Sequence, residues 1–241
     1  MTKREINQAD PFESEYFNDY YKDYRRNFVD LFDSEKYFLK EFINENETIY
    51  DVGCAVGGMY EILSSMKSEI RYQGVDIAEK MIDQARKNYP NINFEVVDGI
   101  NLPEKDDSFD GVLSFGTTVH EQQWEKLISE LWRVTKQDLL FDIRFVDDLP
   151  TISNLSSGFV DDGSGLKYPY VVINYNDFVN LISSLSPKPD ITKIYGYFGS
   201  ANDDVTLPKE YSKICMSCVL LKKNFKDVNN DKSSIELPFN I

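Results

Sequence analysis

Ile49-Tyr-Asp-Val-Gly-Cys-Ala-Val-Gly-Gly58 is the stretch of sequence that decides the fold. It reads as a short apolar strand that runs into a glycine-rich turn just before a helical pattern. Small residues in such a turn let the backbone approach a ligand, and free N–H groups at the helix start bind the ligand's polar parts. We therefore expect an open α/β sheet that holds a nucleotide-like ligand at this turn.

Short apolar strands alternate with amphipathic helices from residue 49 to about residue 144, which is typical of a parallel sheet. A proline at Pro90 ends the second of these helices. Another helix is predicted over Asp177–Leu185, with Asn176 as its N-cap. The predicted strands are Ile49–Val52, Arg71–Val75, Ile92–Val96, Phe109–Phe115, Asp138–Ile143, Ile191–Tyr197 and Ile214–Leu221.

An aromatic stripe precedes this region. Phe12, Tyr16, Tyr20, Tyr24 and Phe28 recur at i, i+4 spacing, which predicts a helix. This helix either packs on the sheet or forms a lid over the ligand, and its tyrosines favour partial exposure because each hydroxyl needs a partner.

Composition divides the chain into regions. Residues 147–170 are rich in Asp, Ser and Gly and read as a long loop, which in a compact domain often has a function. The polar tail is expected to fray. We predict an N-terminal helical cap at 1–45, a main domain at 46–223 with a lid-like insertion at 147–170, and a tail at 224–241.

The chain is strongly acidic, with 41 Asp and Glu against 26 Lys and Arg and a net charge of −15. Such a surface repels phosphate backbones, so nucleic acid is a poor expected partner. No apolar run has the length that a bilayer span needs, and the first residues lack the apolar core of a signal peptide. We predict a cytoplasmic protein without membrane partners, and the sequence leaves its oligomeric state open.

A single C-x-x-C pair, Cys215 and Cys218, raises the question of a metal or redox site. The segment reads as a strand, in which residues three apart point to opposite faces. No second pair completes four ligands. We therefore expect no metal.

Three carboxylates, those of Asp51, Asp76 and Asp98, lie at the glycine turn or follow the second and third predicted strands. In an open α/β sheet, ligands bind outside the carboxyl ends of the strands. The acid about twenty residues after the turn is placed to hold ribose hydroxyls. Gly53-x-Ala55-x-x-Gly58 is a degraded dinucleotide fingerprint that leaves NAD open, whereas a cationic ligand with an amino-acid tail suits the acidic cleft better.

With the segments that follow, the chain resembles class I S-adenosylmethionine-dependent methyltransferases over about residues 49–145. The resemblance implies a three-layer, Rossmann-like α/β fold. Its seven-stranded sheet would have the order 3-2-1-4-5-7-6, with the last strand antiparallel and helices on both faces. The segments that carry it are Tyr50-Asp-Val-Gly-Cys-Ala-Val-Gly57, Gly74-Val-Asp-Ile-Ala78, Asp98-Gly-Ile-Asn-Leu-Pro103 with Ser108-Phe-Asp110, and Glu130-Leu-Trp-Arg-Val-Thr135.

The resemblance also implies S-adenosyl-L-methionine as methyl donor, with S-adenosyl-L-homocysteine as product. The methyl group would pass by in-line displacement to an oxygen or nitrogen of a small-molecule acceptor. Asp76 would hold the ribose, Asp98 the adenine amino group, and the turn the methionine end. The implied donor-binding residues are Asp51, Gly53, Cys54, Ala55, Gly57, Asp76, Ile77, Met81, Asp98, Gly99, Ile100 and Phe115. Ala55 replaces the family's usual middle glycine, and its methyl group fits if φ is negative there.

The acceptor side is less defined. Thr118-Val-His-Glu121 has the form of a capping box, which would place His120 in a first helical turn. There His120 would be either a general base, kept neutral by the helix N-terminus, or a structural residue. Arg144, Tyr20 and Tyr24 are further candidates for acceptor contact. The alternatives are an NAD-dependent oxidoreductase and a catalytically silent methyltransferase-like partner subunit.

Overall fold

Two sheets organise the protein in a computed structural model that describes residues 11–13, 25–161, 163, 165–223 and 232–239. The central sheet contains nine strands and the small sheet contains three. The strands are β1 (Thr48–Val52), β2 (Arg71–Asp76), β3 (Asn93–Val96), β4 (Phe109–Ser114), β5 (Thr135–Val146), β6 (Phe159–Asp161), β7 (Lys167–Pro169), β8 (Ile173–Asn174), β9 (Ile191–Gly199), β10 (Val205–Thr206), β11 (Ile214–Lys222) and β12 (Ser234–Glu236).

The central sheet has the order β12-β9-β11-β5-β4-β1-β2-β3, with β8 paired to β5. Strands β1 to β5 pair in parallel, and β11 runs antiparallel to both β5 and β9. The predicted α/β class is confirmed. The predicted count of seven strands is wrong and the predicted order is incomplete, because β8 adds to β5 and β12 extends the edge beyond β9.

Among the described residues, five α-helices cover the two faces of the central sheet. They are α1 (Asp33–Glu45), α2 (Gly58–Met66), α3 (Glu79–Asn88), α4 (Trp124–Val134) and α5 (Tyr175–Ser184). Buried residues of α1, α2 and α3 share one core cluster, and those of α4 and α5 share another. The alternation of β1 separates the clusters, since Ile49 packs in the first whereas Tyr50 packs in the second.

The two cysteines of the C-x-x-C pair follow the same alternation on β11. Cys215 lies in the cluster with α4 and α5, and Cys218 lies in the cluster with α1, α2 and α3. Both are fully buried free thiols. The prediction that they point to opposite faces is therefore confirmed.

The small sheet, with order β10-β6-β7, corrects the predicted long loop at 147–170. Strands β6 and β7 form an antiparallel hairpin inside that range, and β10 joins it from a distant part of the chain. The expected fraying of the tail is also wrong in part, because β12 pairs in parallel with β9. These strands have only two or three residues, which is too short for a periodic pattern to show.

Two local helix predictions also change. The N-cap of α5 is Asn174 rather than Asn176, because the Asn174 side chain accepts the backbone N–H of Asn176. The predicted aromatic helix does not continue to Phe28, since Arg25 has φ +55° and Phe28–Asp30 form a short 3₁₀ turn. Tyr16, Tyr20 and Tyr24 lie outside the described residues. Within the described ranges, no helix combines the length and apolar character needed to cross a bilayer.

Candidate functional site

A cavity of about 270 Å³ lies at the carboxyl ends of the central strands and extends beneath the small sheet. Ten of the twelve predicted donor-binding residues line it, as do His120 and Arg144. Gly57 and Ile100 do not, and Ile100 is buried in the core instead. The ten are Asp51, Gly53, Cys54, Ala55, Asp76, Ile77, Met81, Asp98, Gly99 and Phe115.

The glycine turn (residues 53–58) forms one wall of the cavity. The N–H groups of Gly53 and Cys54 both donate to the carbonyl of Val75, at 2.8 and 3.0 Å, which fixes the turn against β2. Gly53 has φ +83°, and a Cβ there would lie 1.8 Å from Oγ1 of Thr117. Glycine is therefore required at 53 by both conformation and space.

Ala55 adopts φ +46°, so the expectation of a negative φ at this position is wrong. Its N–H donates to Oδ2 of Asp76 at 2.9 Å. This hydrogen bond gives a local reason for the left-handed conformation, which costs a residue with a Cβ about 1 kcal/mol. The turn keeps its shape although the family's usual glycine is absent.

The carboxylate of Asp51 is almost fully buried at the base of the turn. The hydroxyl of Tyr72 donates a short hydrogen bond to its Oδ2. Burial raises the pKa of Asp51 to about 7, although the Tyr72 hydrogen bond works in the opposite direction. A phosphate group bound at this end of the cavity would lie next to the poorly solvated carboxyl group of Asp51, which makes this end unfavourable for a phosphate.

Asp76 ends β2 and connects the glycine turn to α3. Its Oδ1 accepts the N–H of Ala78 and its Oδ2 accepts that of Ala55, both at 2.9 Å. Burial raises its pKa, and the two backbone N–H groups oppose that rise. The two backbone donors therefore fix the position of the Asp76 carboxylate where it lines the cavity.

The N-terminal segment reaches the same place. Glu13 accepts the N–H groups of Glu79 and Lys80 at the start of α3, at 2.6 and 3.3 Å. This contact brings Phe12 over the cavity, which it lines. The aromatic stripe thus contributes at least one ring to the cavity.

Asp98 and Gly99 follow β3 and form the wall opposite the turn. Oδ1 of Asp98 accepts the N–H of Ile100 at 3.1 Å, which holds the carboxylate in a tight loop. A Cβ at Gly99 would lie 3.0 Å from Leu127 and 3.1 Å from Val52, so the backbone packs closely there. The side chains of Ile77, Met81 and Val97 supply apolar surface between these polar groups.

His120 lies in a 3₁₀ turn, Thr118–His120, and not in the first turn of a helix. The predicted capping box is wrong, because Oγ1 of Thr118 has no hydrogen-bond partner among the described residues and Glu121 accepts from Gln123 instead. Nδ1–H of His120 donates to the carbonyl of Pro169 at 2.9 Å. Burial lowers the pKa of His120 to about 4, with smaller contributions from Arg144 and Arg25. The ring is therefore neutral at pH 7, with its Nε2 lone pair available.

Two buried ion pairs lie near His120, and no pattern in the sequence predicted their pairing. Arg25 contacts Glu35 at 2.6 Å, and Arg144 contacts Asp142 at 2.9 Å. Asp142 also accepts the N–H of Gly116 at 2.7 Å, which fixes the loop after β4. Nε of Arg144 is buried and has no hydrogen-bond partner among the described residues.

Comparison with known proteins finds sequence similarity in the region that contains the glycine turn and the strands that line the cavity. Residues 49–138 match the family model described as a methyltransferase domain. The ubiquinone/menaquinone biosynthesis C-methyltransferase UbiE of Campylobacter jejuni is 31% identical over 104 residues, 40% of this chain and 43% of that protein. The 24-methylenesterol C-methyltransferase 2 of Arabidopsis thaliana is 31% identical over 105 residues, 41% of this chain and 29% of that protein. The chain thus spans less than half the length of these relatives.

Solved structures extend the similarity to most of the chain. The magnesium protoporphyrin IX methyltransferase of Synechocystis PCC 6803 with bound S-adenosylmethionine has a TM-score of 0.52 and 16% identity, covering 90% of this chain and 99% of that one. At this identity the likeness concerns the fold. The resemblance to class I, Rossmann-like methyltransferases that the sequence indicated is confirmed.

Proposed function

We propose that this protein transfers a methyl group from S-adenosyl-L-methionine to an oxygen or nitrogen of a small-molecule acceptor. The observation that carries the proposal is the single cavity that joins the glycine turn, Asp51, Asp76 and Asp98 to the aromatic surface under the small sheet. Within this proposal, residues 46–223 form the catalytic domain and the N-terminal segment covers it.

The residues present fit this donor. Gly53 lines the cavity and carries no side chain, so a ligand can approach its backbone closely. Asp76 and Asp98 offer oriented carboxylate oxygens for hydroxyl and amino donors. Ile77, Met81 and Val97 provide an apolar lining between them, which suits a flat base.

Methyl transfer places modest demands on the protein. When bound, S-adenosylmethionine supplies a methyl group on a positively charged sulfur that is already activated for displacement. The chain's own contribution is to align the acceptor and exclude water, which can supply most of the acceleration. Phe12 and Phe115 line the cavity and help to exclude water there. The neutral ring of His120, oriented by Pro169, can take up a proton from the acceptor through Nε2.

Isothermal titration with S-adenosylhomocysteine and with NADH separates this proposal from a nicotinamide-dependent oxidoreductase. We expect S-adenosylhomocysteine to bind and NADH to bind at least tenfold more weakly. Asp76→Ala should weaken S-adenosylhomocysteine binding by tenfold or more, since each 1.4 kcal/mol of lost contact is a factor of ten.

The control is Asp83→Ala, which removes an exposed carboxylate from α3 outside the cavity. It should leave the affinity unchanged. Binding of NADH without S-adenosylhomocysteine would refute the proposal. Donor binding without methyl transfer to any acceptor in a broad panel would favour a silent partner subunit.

A further inference from the structure

The cavity wall under the small sheet is formed by a cluster of four rings, those of Phe12, His120, Tyr168 and Tyr170, named here the aromatic cluster. Tyr168 lies 5.0 Å from His120 and 5.3 Å from Phe12 between ring centroids, and Tyr170 lies 6.3 Å from His120. All four line the cavity. The faces of aromatic rings carry partial negative charge, and the two tyrosines add hydroxyl oxygens, so the aromatic cluster can attract a cation.

Asp204 lines the same wall and is held there by its backbone. It directly precedes β10, and its carbonyl accepts the N–H of Asp161 in β6 at 2.8 Å. Its Oδ1 is buried, and no hydrogen bond from a described residue reaches that atom. A buried carboxylate oxygen without a donor is unfavourable in the ligand-free protein, so a ligand that supplies the donor gains from it.

The two arginines near the aromatic cluster are already paired with carboxylates. Arg25 contacts Glu35 and Arg144 contacts Asp142, both within 3 Å. Each arginine therefore brings a carboxylate with it, and the pairs contribute little net field. Burial keeps His120 neutral through a lowered pKa. Among the described residues no ion pair neutralises Asp204, so its carboxylate adds negative charge to the cavity, which Glu121 also lines.

We propose that the methyl acceptor is an amine, whose nitrogen is held by Oδ1 of Asp204 against the aromatic cluster. This inference rests on the proposed function and narrows it from oxygen or nitrogen to nitrogen. An anionic acceptor would meet the repulsion of Asp204, and a neutral alcohol would gain one hydrogen bond without the electrostatic attraction.

The reaction balances with the groups on this wall. An amine that enters as an ammonium ion releases one proton to solvent before the transfer, because the pKa of His120 near 4 makes its ring a much weaker base than an amine. The freed lone pair on nitrogen forms the new N–C bond while the S–C bond breaks, and the electron pair of that bond stays on sulfur. The positive charge moves from sulfur to the methylated nitrogen, where Asp204 stabilises it.

Matched probes on the protein saturated with S-adenosylhomocysteine test the inference. The probes are 2-phenylethylamine, 3-phenylpropionate and 2-phenylethanol. The same amine, acid and alcohol groups are also tested on a butyl and on an indolyl skeleton in place of the phenyl skeleton. Binding is measured by isothermal titration and by thermal shift. We expect the amine of at least one skeleton to bind tenfold or more tightly than its acid and alcohol.

Asp204→Asn keeps the shape of the side chain and removes its charge. This substitution should weaken the binding of the amine by tenfold or more and change the affinity for the alcohol by less than twofold. Asp203→Asn is the matched control, because the neighbouring carboxylate is exposed and does not line the cavity. It should behave as the unaltered protein.

The outcomes separate the two proposals. If S-adenosylhomocysteine does not bind, the proposed function fails. If it binds but no amine is preferred on any skeleton, or if Asp204→Asn leaves the amine affinity unchanged, the function stands and the amine inference fails. Preference for the acid, which would point to Nε of Arg144 as the anchor, also overturns the inference.

Discussion

Gly53→Ala is the substitution for which the structure gives the clearest magnitude. The added Cβ would lie 1.8 Å from Oγ1 of Thr117 and 3.0 Å from its Cβ. Overpacking of this kind costs about 1–3 kcal/mol. The φ of +83° adds about 1–2 kcal/mol for a residue with a Cβ. We therefore expect Gly53→Ala to lower the free energy of unfolding by about 2–5 kcal/mol.

The two contributions can be separated with Thr117. Thr117→Ala removes the hydroxyl that would lie 1.8 Å from the Cβ added at position 53. The carbonyl of Val52 keeps a second donor after this change, because Oγ of Ser114 donates to it at 2.9 Å. In the Thr117→Ala background, Gly53→Ala should lower the free energy of unfolding only by the cost of the positive φ, about 1–2 kcal/mol. Thr117→Val is the control, because a methyl group then stands where the hydroxyl was and the clash remains.

Urea denaturation of the single and double variants gives the coupling energy between positions 53 and 117. We expect a coupling energy of about 1–3 kcal/mol when Gly53→Ala is combined with Thr117→Ala, and a coupling energy close to zero when it is combined with Thr117→Val. Affinity for S-adenosylhomocysteine should fall in parallel with the clash, since both positions line the cavity. Additive effects in the Thr117→Ala background would refute the close approach of the turn to this side chain.

Further predictions concern Ala55 and His120. Ala55→Gly should change the free energy of unfolding by less than about 0.5 kcal/mol, because relief at φ +46° is offset by the greater freedom of glycine in the unfolded chain. Ala55→Val should lower the free energy of unfolding, measured by urea denaturation, by about 2 kcal/mol. Equal stabilities of the Ala55→Gly and Ala55→Val variants would contradict the left-handed turn. For His120, the folded pKa of about 4 lies below the unfolded 6.5, so the unfolded chain binds more protons between those values and stability falls as pH is lowered through them. Relative to His120→Gln, the protein should lose up to about 2 kcal/mol between pH 7 and pH 5, and parallel pH curves would show that the ring is not desolvated.

The small sheet and the ion pairs show where sequence patterns stop being informative. The two residues of β10 are too few to show alternation, and they pair with a strand far away in the sequence, as Val205 with Val160 and Thr206 with Phe159. Glu35 and Asp142 looked like ordinary acids of a helix and a strand. Their pairing with Arg25 and Arg144 depends on which elements pack together.

Local ambiguities of the same kind explain the smaller errors. Asn174 and Asn176 have the same capping chemistry, and only the backbone path decides which of them precedes α5. The S/T-x-x-E pattern at Thr118 fits a capping box, but the chain forms a single 3₁₀ turn there and α4 starts at Trp124. The φ of Ala55 depends on its hydrogen bond to Asp76, 21 residues further along the chain.

The sequence by itself determined the part of the cavity that we propose binds the methyl donor. Asp51, the glycine turn, Asp76 and Asp98 lie at or just beyond the carboxyl ends of β1, β2 and β3. Parallel strands bring these ends to one edge of the sheet, so the order of the residues along the chain predicts that they meet in space. Only the tertiary structure decided the part of the cavity that we propose binds the acceptor. Phe12, Tyr168 and Asp204 come from segments with no common pattern, and the packing of the small sheet and the N-terminal segment is what brings them to one wall and leaves Oδ1 of Asp204 without a donor.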